Sequence, residues 1–200
     1  MNLRPYGFTL IELLVTLAVM ALLFMIGLPG MSTWLQNQQL RASAEGIQAG
    51  LQLARAEALR RNVPVRFQLV DTLTGACILK DNAANWIVSL ADPTAACAAP
   101  EDDTAAPQIL QKRSGAEGTR NAAVAAINSP GVVATTVVFS GLGRVIGVVP
   151  ITRIDISNPS GGACQPAGPM RCLRINVASG GAMRMCDPIV VDPTDPRLCN

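Results

Sequence analysis

The chain has 200 residues, enough for one domain of ordinary size with an appendage. Its net charge of +2 excludes a strong overall attraction to nucleic acid, so any anion binding must come from a local cluster. The sequence contains no histidine, which removes the usual general base near neutral pH and most Ser-His or Cys-His nucleophile arrangements. Few aromatic residues and frequent glycine and proline favour short strands and turns over a helical bundle.

A short leader, residues 1–7, precedes an apolar run that extends from Phe8 to Leu28. The polar side chains in this run are Thr9, Glu12 and Thr16. As a helix, the run would be about 31 Å long, which is enough to cross the hydrocarbon core of a bilayer. The sequence therefore predicts a transmembrane or filament-core helix over residues 8–28.

Glu12 is unexpected in such a helix, because a charged side chain near the centre of a bilayer costs about 2.5–3.5 kcal/mol. The run is too long for an ordinary secretory signal, and no small-residue cleavage site follows it. A plain membrane anchor has no need of a carboxylate, although a chance glutamate near the membrane surface is an alternative. In a prepilin-type signal, cleavage after Gly7 exposes the amine of Phe8. Glu12 of one subunit then neutralises this amine on its neighbour in a filament.

The stretch GFTLIELLV, residues 7–15, resembles the type III signal of type IV pilins and type II secretion pseudopilins. The resemblance implies a membrane peptidase that cuts after Gly7 and methylates the amine of Phe8, and a role for Glu12 in docking onto the growing filament. It implies a single-pass protein of the bacterial inner membrane with its C-terminal domain in the periplasm. The implied partners are other pilins or pseudopilins, the prepilin peptidase and the inner-membrane assembly platform.

Residues 29–63 are predicted to continue as an amphipathic helix, which Pro64 ends because proline disfavours helical geometry in the residue before it. Apolar side chains recur in one stripe at alternating steps of four and three: Leu40, Ala44, Ile47, Leu51, Ala54 and Ala58. A sheet is expected to cover this stripe. The helix end, LARAEALRRNVPV at 53–65, is similar to that of the H-type minor pseudopilins and the FimT/FimU minor pilins.

Residues 64–200 are predicted to form a periplasmic β domain stabilised by disulfides. The predicted fold class is therefore α+β, with the long N-terminal helix packed on a C-terminal antiparallel β domain. Alternation and composition predict strands at 63–69, 77–80, 85–90, 108–113, 135–140, 144–148, 151–157, 172–178 and 183–186. Residues 91–106 and 114–131 are predicted loops. The stretches VFSGLGR (138–144), RINV (174–177) and GGAMRMC (180–186) also resemble the H-type and FimT group.

Six cysteines, all past residue 76 and without a C-x-x-C pair, indicate disulfides in an oxidising compartment. A zinc site is the alternative. Of the fifteen possible pairings, closeness along the chain favours Cys77–Cys97, Cys164–Cys172 and Cys186–Cys199, and the others stay open. The acidic cluster at 101–103 is a solvated loop or, alternatively, a calcium site. No cofactor and no metal are expected.

Three classes of function follow. The first is a minor pseudopilin at or near the tip of a type II secretion pseudopilus, with a type IV pilus minor pilin as its alternative. The second is DNA binding during natural transformation, which some FimT-like pilins perform through a C-terminal Gly-Arg-x-Arg. The matching stretch here, 181–184, lacks the first arginine, and Arg171, Arg174 and Arg184 are the candidate contacts. The third is an anchored periplasmic enzyme, for which no catalytic set is found.

Overall fold

The computed structural model describes residues 8–116, 121–129 and 131–199, without the side chains of residues 26–30. The chain divides into two units, Met1–Leu35 and Gln36–Asn200, and the division falls within a long helix, α1, that extends from Leu10 to Arg61. The predicted leader, with Gly7, lies outside the described residues.

The described part of the first unit is mainly the N-terminal part of α1, and large apolar side chains cover most of its surface. Every large apolar side chain from Phe8 to Met25 is more than half exposed. Within the described part of the chain, no helix has both the length and the apolarity needed to cross a membrane. The limits predicted for the leader and the transmembrane helix stay predictions.

In the second unit, the remainder of α1 supplies one wall of the core. The predicted stripe is confirmed, because Leu40, Ala44, Ile47, Leu51, Ala54 and Ala58 are all fully buried or nearly so. These residues pack against side chains from both sheets of the domain, among them Phe67 and Ile154. Burial of a leucine or isoleucine side chain contributes about 1.5–3 kcal/mol, so this stripe is what fastens the helix to the sheets.

Nine strands follow α1: β1 (Val65–Val70), β2 (Asn85–Ser89), β3 (Ile109–Arg113), β4 (Ala123–Ile127), β5 (Thr136–Phe139), β6 (Val145–Ile146), β7 (Arg153–Ser157), β8 (Leu173–Val177) and β9 (Met183–Cys186). They form two antiparallel sheets within the described residues, with strand orders β3-β2-β1-β5-β6 and β4-β7-β8-β9. We call them sheet A and sheet B. The α+β fold class and the antiparallel β domain are therefore confirmed.

Side chains alternate across sheet A, so each of its faces has its own core. Phe67 and Trp86 face α1, and their ring centroids lie 5.6 Å apart. On the opposite face, a second cluster is formed by Val70, Cys77, Ile87, Cys97 and Ile109. The loops after β1 and β2 supply the two cysteines of this cluster. These loops therefore cover the outer face of the sheet.

Three predictions of secondary structure, two strands and one loop, need correction. Residues 77–80 do not form a strand, because only Leu79 bridges to Val70 and the segment is otherwise loop that covers sheet A. The predicted loop at 114–131 contains β4, which pairs with β7 along all five of its residues. The strand predicted at 144–148 is reduced to the two residues of β6.

The three favoured disulfides are confirmed: Cys77–Cys97, Cys164–Cys172 and Cys186–Cys199. The first lies in the second apolar cluster. The other two close the loop before β8 and the tail after β9. None of the three disulfides joins the two sheets: Cys77–Cys97 links two loops to each other over sheet A, and the other two hold segments next to β8 and β9 of sheet B.

Candidate functional site

The start of α1 is organised by Thr9 and Glu12, which hold each other in a reciprocal pair of contacts. The backbone N–H and the hydroxyl of Thr9 both donate to Oε2 of Glu12, at 2.9 and 2.8 Å. In return, the backbone N–H of Glu12 donates to Oγ1 of Thr9 at 3.3 Å. The carbonyl of Thr9 accepts the first helical bond, from the N–H of Leu13. Thr9 is therefore the N-cap residue, and Thr9-x-x-Glu12 is a capping box.

The capping box gives Glu12 a role within its own chain. A carboxylate in the first turn is also favoured by the positive end of the helix dipole. Sequence reasoning treated Glu12 as a partner for a neighbouring amine and gave Thr9 no role. The signal was present, because Thr followed three residues later by Glu before an apolar run is a typical helix start. Phe8, the predicted methylated residue, precedes the cap and is highly exposed.

The predicted arginine contacts lie on and beside sheet B, but not in one group. Arg174 and Arg184 lie on its outer face, since the core side chains Ile175 and Met185 alternate with them. Arg171 lies before β8, where its backbone N–H donates to Oδ1 of Asn37 on α1 at 2.7 Å. The structure therefore brings together two of the three predicted residues.

Sequence reasoning missed Arg153, which completes a basic row across the outer face of sheet B. The register pairs Arg153 with Asn176, and Asn176 with Arg184. We call Arg153, Asn176 and Arg184, two arginines with an asparagine between them, the basic row. Arg153 and Arg184 line the same cavity, whose volume is about 840 Å³ and whose walls include Ile127 and Val177. The pairing is long-range in sequence, so no local pattern could have revealed it.

The Asp155 carboxylate partly neutralises the positive charge of Arg153 and Arg174. Its Oδ1 accepts a hydrogen bond from Nε of Arg174 at 2.6 Å. Its Oδ2 lies 2.9 Å from Nε of Arg153, close enough for an ion pair although not aligned as a hydrogen bond. Arg184 donates to the backbone carbonyl of Pro196 in the C-terminal tail. One arginine of the predicted set, Arg174, is thus neutralised within the chain.

The acidic cluster at 101–103 is occupied by contacts with its own chain. Asp103 forms an ion pair with Arg61 at 2.9 Å, and Oε1 of Glu101 accepts the backbone N–H of Lys112 at 3.0 Å. Asp102 accepts bonds from the backbone and hydroxyl of Thr104. Among the described residues, no three side chains of the metal-binding types come together to hold a metal ion. The cluster is explained by its role in anchoring the loop to α1 and β3.

Comparison with known proteins identifies the family. The family model described as type II transport protein GspH matches residues 43–181, which is well over half of the chain. The chain belongs to the GspH family. A second family model, the prokaryotic N-terminal methylation motif, matches residues 4–28, which include the capping box. Members of the GspH family with this motif are type IV pilin-like minor pilins or pseudopilins, which fixes the general class of this chain.

Two solved structures are similar to this member of the GspH family. Both are crystal structures of the type IV minor pilin FimU of Pseudomonas aeruginosa. One, in space group P65, has 14% identity and a TM-score of 0.48, over 74% of this chain and 97% of that chain. The other, in space group P21, has 16% identity and a TM-score of 0.49, over 78% and 97%. Comparison with curated protein sequences gave no match.

Proposed function

We propose that this chain is a minor pseudopilin, a structural subunit at or near the tip of the pseudopilus of a type II secretion system. The observation that carries the proposal is the match of residues 43–181 to the GspH family together with the methylation motif over residues 4–28. The exposed large apolar side chains of α1 up to Met25, interrupted only by Glu12 and Thr16 among the larger side chains described, support it, because such a surface requires lipid or other helices around it. No enzymatic role is proposed.

In this proposal, a prepilin peptidase cuts after Gly7 and methylates the amine of Phe8. Residues 8–28 lie in the inner membrane until the assembly platform transfers the subunit to the filament, while the second unit stays in the periplasm. Glu12 contributes by neutralising the Phe8 amine of the neighbouring subunit. The capping box supports this role, because it holds the carboxylate in one orientation before docking.

The processing step is tested by mass spectrometry of the purified protein. A mature chain that begins at a methylated Phe8 is expected, and replacement of Gly7 by a bulky residue should leave the leader attached. Normal removal of the leader in that variant would overturn the cleavage assignment. Glu12→Gln should impair incorporation into the filament while membrane insertion is retained, as measured by cross-linking and by membrane fractionation.

The choice between secretion and a pilus is tested by deletion of the gene. Loss of protein secretion with surface pili retained is the expected result. Loss of pili or of twitching motility, with secretion retained, would instead favour the type IV pilus minor pilin. The description of the family as a type II transport protein is the reason that we favour the first outcome.

DNA binding by the basic row is the second candidate function. Arg153 and Arg184 line one cavity, and phosphate groups are common ligands of paired arginines. The test is a salt-titrated DNA-binding measurement on the processed chain in detergent. Arg184→Ala should weaken binding and lower the slope of log K against log salt concentration by about one. Absence of binding at low salt would exclude this function, and Arg60→Ala, remote from sheet B in sequence, serves as the control for a general loss of charge.

A further inference from the structure

Met31, Trp34 and Leu35 form an exposed apolar face near the end of the first unit. Their spacing of three and four residues places them on the same side of α1. Trp34 and Met31 are 59% and 58% exposed, and Leu35 is 49% exposed. We call these residues the Trp34 face. A large exposed aromatic side chain between two exposed aliphatic ones is unusual for a surface that meets only water.

The two polar residues that follow, Gln36 and Asn37, form hydrogen bonds with other residues of the second unit. Oε1 of Gln36 accepts a hydrogen bond from the buried Asn158 at 3.2 Å. The amide of Asn37 donates to the carbonyl of Pro169 at 3.3 Å. The chain therefore directs amides toward its own domain at 36 and 37 and leaves apolar side chains uncovered at 31, 34 and 35. This contrast between bonded polar side chains and uncovered apolar ones indicates that something other than water covers the Trp34 face.

The distribution of charge along α1 indicates that a membrane covers the Trp34 face. No charged side chain occurs from Leu13 to Leu40, and Arg41 is the first after Glu12. Twelve of these uncharged residues follow Leu28 and extend for about 18 Å, so α1 carries no charge through the whole headgroup layer on that side. Trp34 lies six residues beyond Leu28, or about 9 Å along the helix. Each headgroup layer is about 5–8 Å thick, and a helical side chain leans back toward the start of its helix, so the Trp34 ring reaches this layer when residues 8–28 occupy the hydrocarbon core.

We propose that the Trp34 face lies in the headgroup layer of the phospholipid membrane before the subunit enters the filament. This inference rests on the proposed function, which places residues 8–28 in the membrane. Tryptophan is suited to this layer, because its ring is apolar and its indole N–H can donate to lipid oxygen atoms. The Trp34 face would thus fix the depth of α1 in the membrane and hold the second unit at the membrane surface.

Tryptophan fluorescence tests the proposal directly, because Trp34 and Trp86 are the two tryptophans of the chain and Trp86 is only 3% exposed. The mature chain, residues 8–200, is reconstituted into vesicles of phosphatidylethanolamine and phosphatidylglycerol that carry brominated acyl chains. The signal of Trp34 is obtained from Trp86→Phe, or as the difference between wild type and Trp34→Phe if that core variant does not fold. Bromines close to the headgroup should quench Trp34 roughly twofold more than bromines near the chain ends.

A second single-tryptophan chain separates this inference from the proposed function. In Phe24→Trp with Trp34 and Trp86 replaced by phenylalanine, the reporter lies about 6 Å inside the end of the span, so it should be quenched by bromolipids and protected from aqueous iodide. If no bromolipid quenches this reporter, the membrane insertion that the proposed function requires has failed. If position 24 is quenched as expected but Trp34 is quenched by aqueous iodide and by no bromolipid, only the present inference is overturned. Strongest quenching of Trp34 by deep bromines would overturn it as well.

Discussion

The carbonyl oxygen of Gly143 occupies the space in which a β-carbon on Gly181 would stand. The same carbonyl accepts a hydrogen bond from Nε of Arg55 on α1 at 3.1 Å. Gly181 has a φ of +83°, a conformation that side-chain-bearing residues rarely adopt. The turn between β8 and β9, the turn between β5 and β6, and α1 therefore meet at one point, where the two sheets are joined to each other and to the helix.

Gly181→Ala should destabilise the β domain by about 2–4 kcal/mol, from the positive φ and from the steric clash with Gly143. Urea unfolding of the purified chain in detergent, followed by the fluorescence of Trp86, measures the change. Gly180→Ala is the matched control, because Gly180 lies in the same turn and a β-carbon added there would have no neighbouring atom within 4 Å. It should change stability by less than about 0.5 kcal/mol. Equal effects of the two substitutions would contradict the steric argument.

Thr9→Val keeps the size of the side chain but removes both contacts of its hydroxyl group with Glu12. Loss of such a cap costs about 1 kcal/mol of helix stability, and the Glu12 carboxylate keeps only the contact with the backbone N–H of residue 9, so it is held less firmly. Incorporation into the filament, measured by cross-linking, should fall severalfold, whereas Thr9→Ser should retain it. Thr16→Val is the control, since the Thr16 hydroxyl donates only to the carbonyl of Leu13 among its described contacts. A defect in Thr16→Val as large as that in Thr9→Val would argue against a specific role of the cap.

Glu57→Gln should lower stability by about 0.5–1 kcal/mol at neutral pH. Arg60 and Arg61 donate hydrogen bonds that hold the pKa of Glu57 below its ordinary value of 4.5. A lowered pKa means that this stabilisation is present above pH 4.5 and is lost as the pH falls through the folded-state pKa. The difference between wild type and Glu57→Gln should therefore shrink toward zero in acid.

The control for this pH effect is Glu45→Gln. Glu45 pairs with Arg41 at the same spacing, but the two side chains are 55% and 69% exposed, against 18% for Glu57. Urea midpoints measured from neutral pH into the acid range should show little change for Glu45→Gln. A constant difference between wild type and Glu57→Gln across this pH range would show that the ion pair does not act as described.

Removal of the Cys77–Cys97 disulfide should cost more than removal of the Cys164–Cys172 disulfide. The sequence separations of 20 and 8 predict contributions of about 3 and 2.5 kcal/mol from loop closure. Cys77 and Cys97 are also buried in the second apolar cluster, so alanine substitutions there remove packing as well. Urea unfolding of the two double-alanine variants measures the order, and a larger loss for the 164–172 pair would contradict it.

The helix and its buried stripe could be predicted because their signal is local. Steps of four and three place Leu40 and Ala58 on one side of a helix regardless of what covers that side. The disulfides could also be predicted, since each one joins two cysteines with no other cysteine between them in the sequence.

Other features could not be predicted because they depend on distant pairing. The strand β4 is rich in alanine, a residue depleted in strands, and it is stabilised as a strand by pairing with β7, which is distant in sequence. The basic row brings together residues from β7, β8 and β9, so it exists only after sheet B is assembled. The contact between Gly143 and Gly181 joins two turns in the same way, although each glycine was visible in the sequence.

Because the Cys164–Cys172 and Cys186–Cys199 disulfides each close a segment that adjoins a strand of sheet B, these segments are free to differ in length without a change in the sheet. The disulfide fixes the start and the end of each segment. The entropy cost of closing a longer loop rises only slowly with the length of the loop. The segments within Cys164–Cys172 and Cys186–Cys199 are therefore the places where we expect relatives to have diverged by insertion and deletion. A subunit built in this way can change what it presents to its surroundings while its attachment to the helix is preserved.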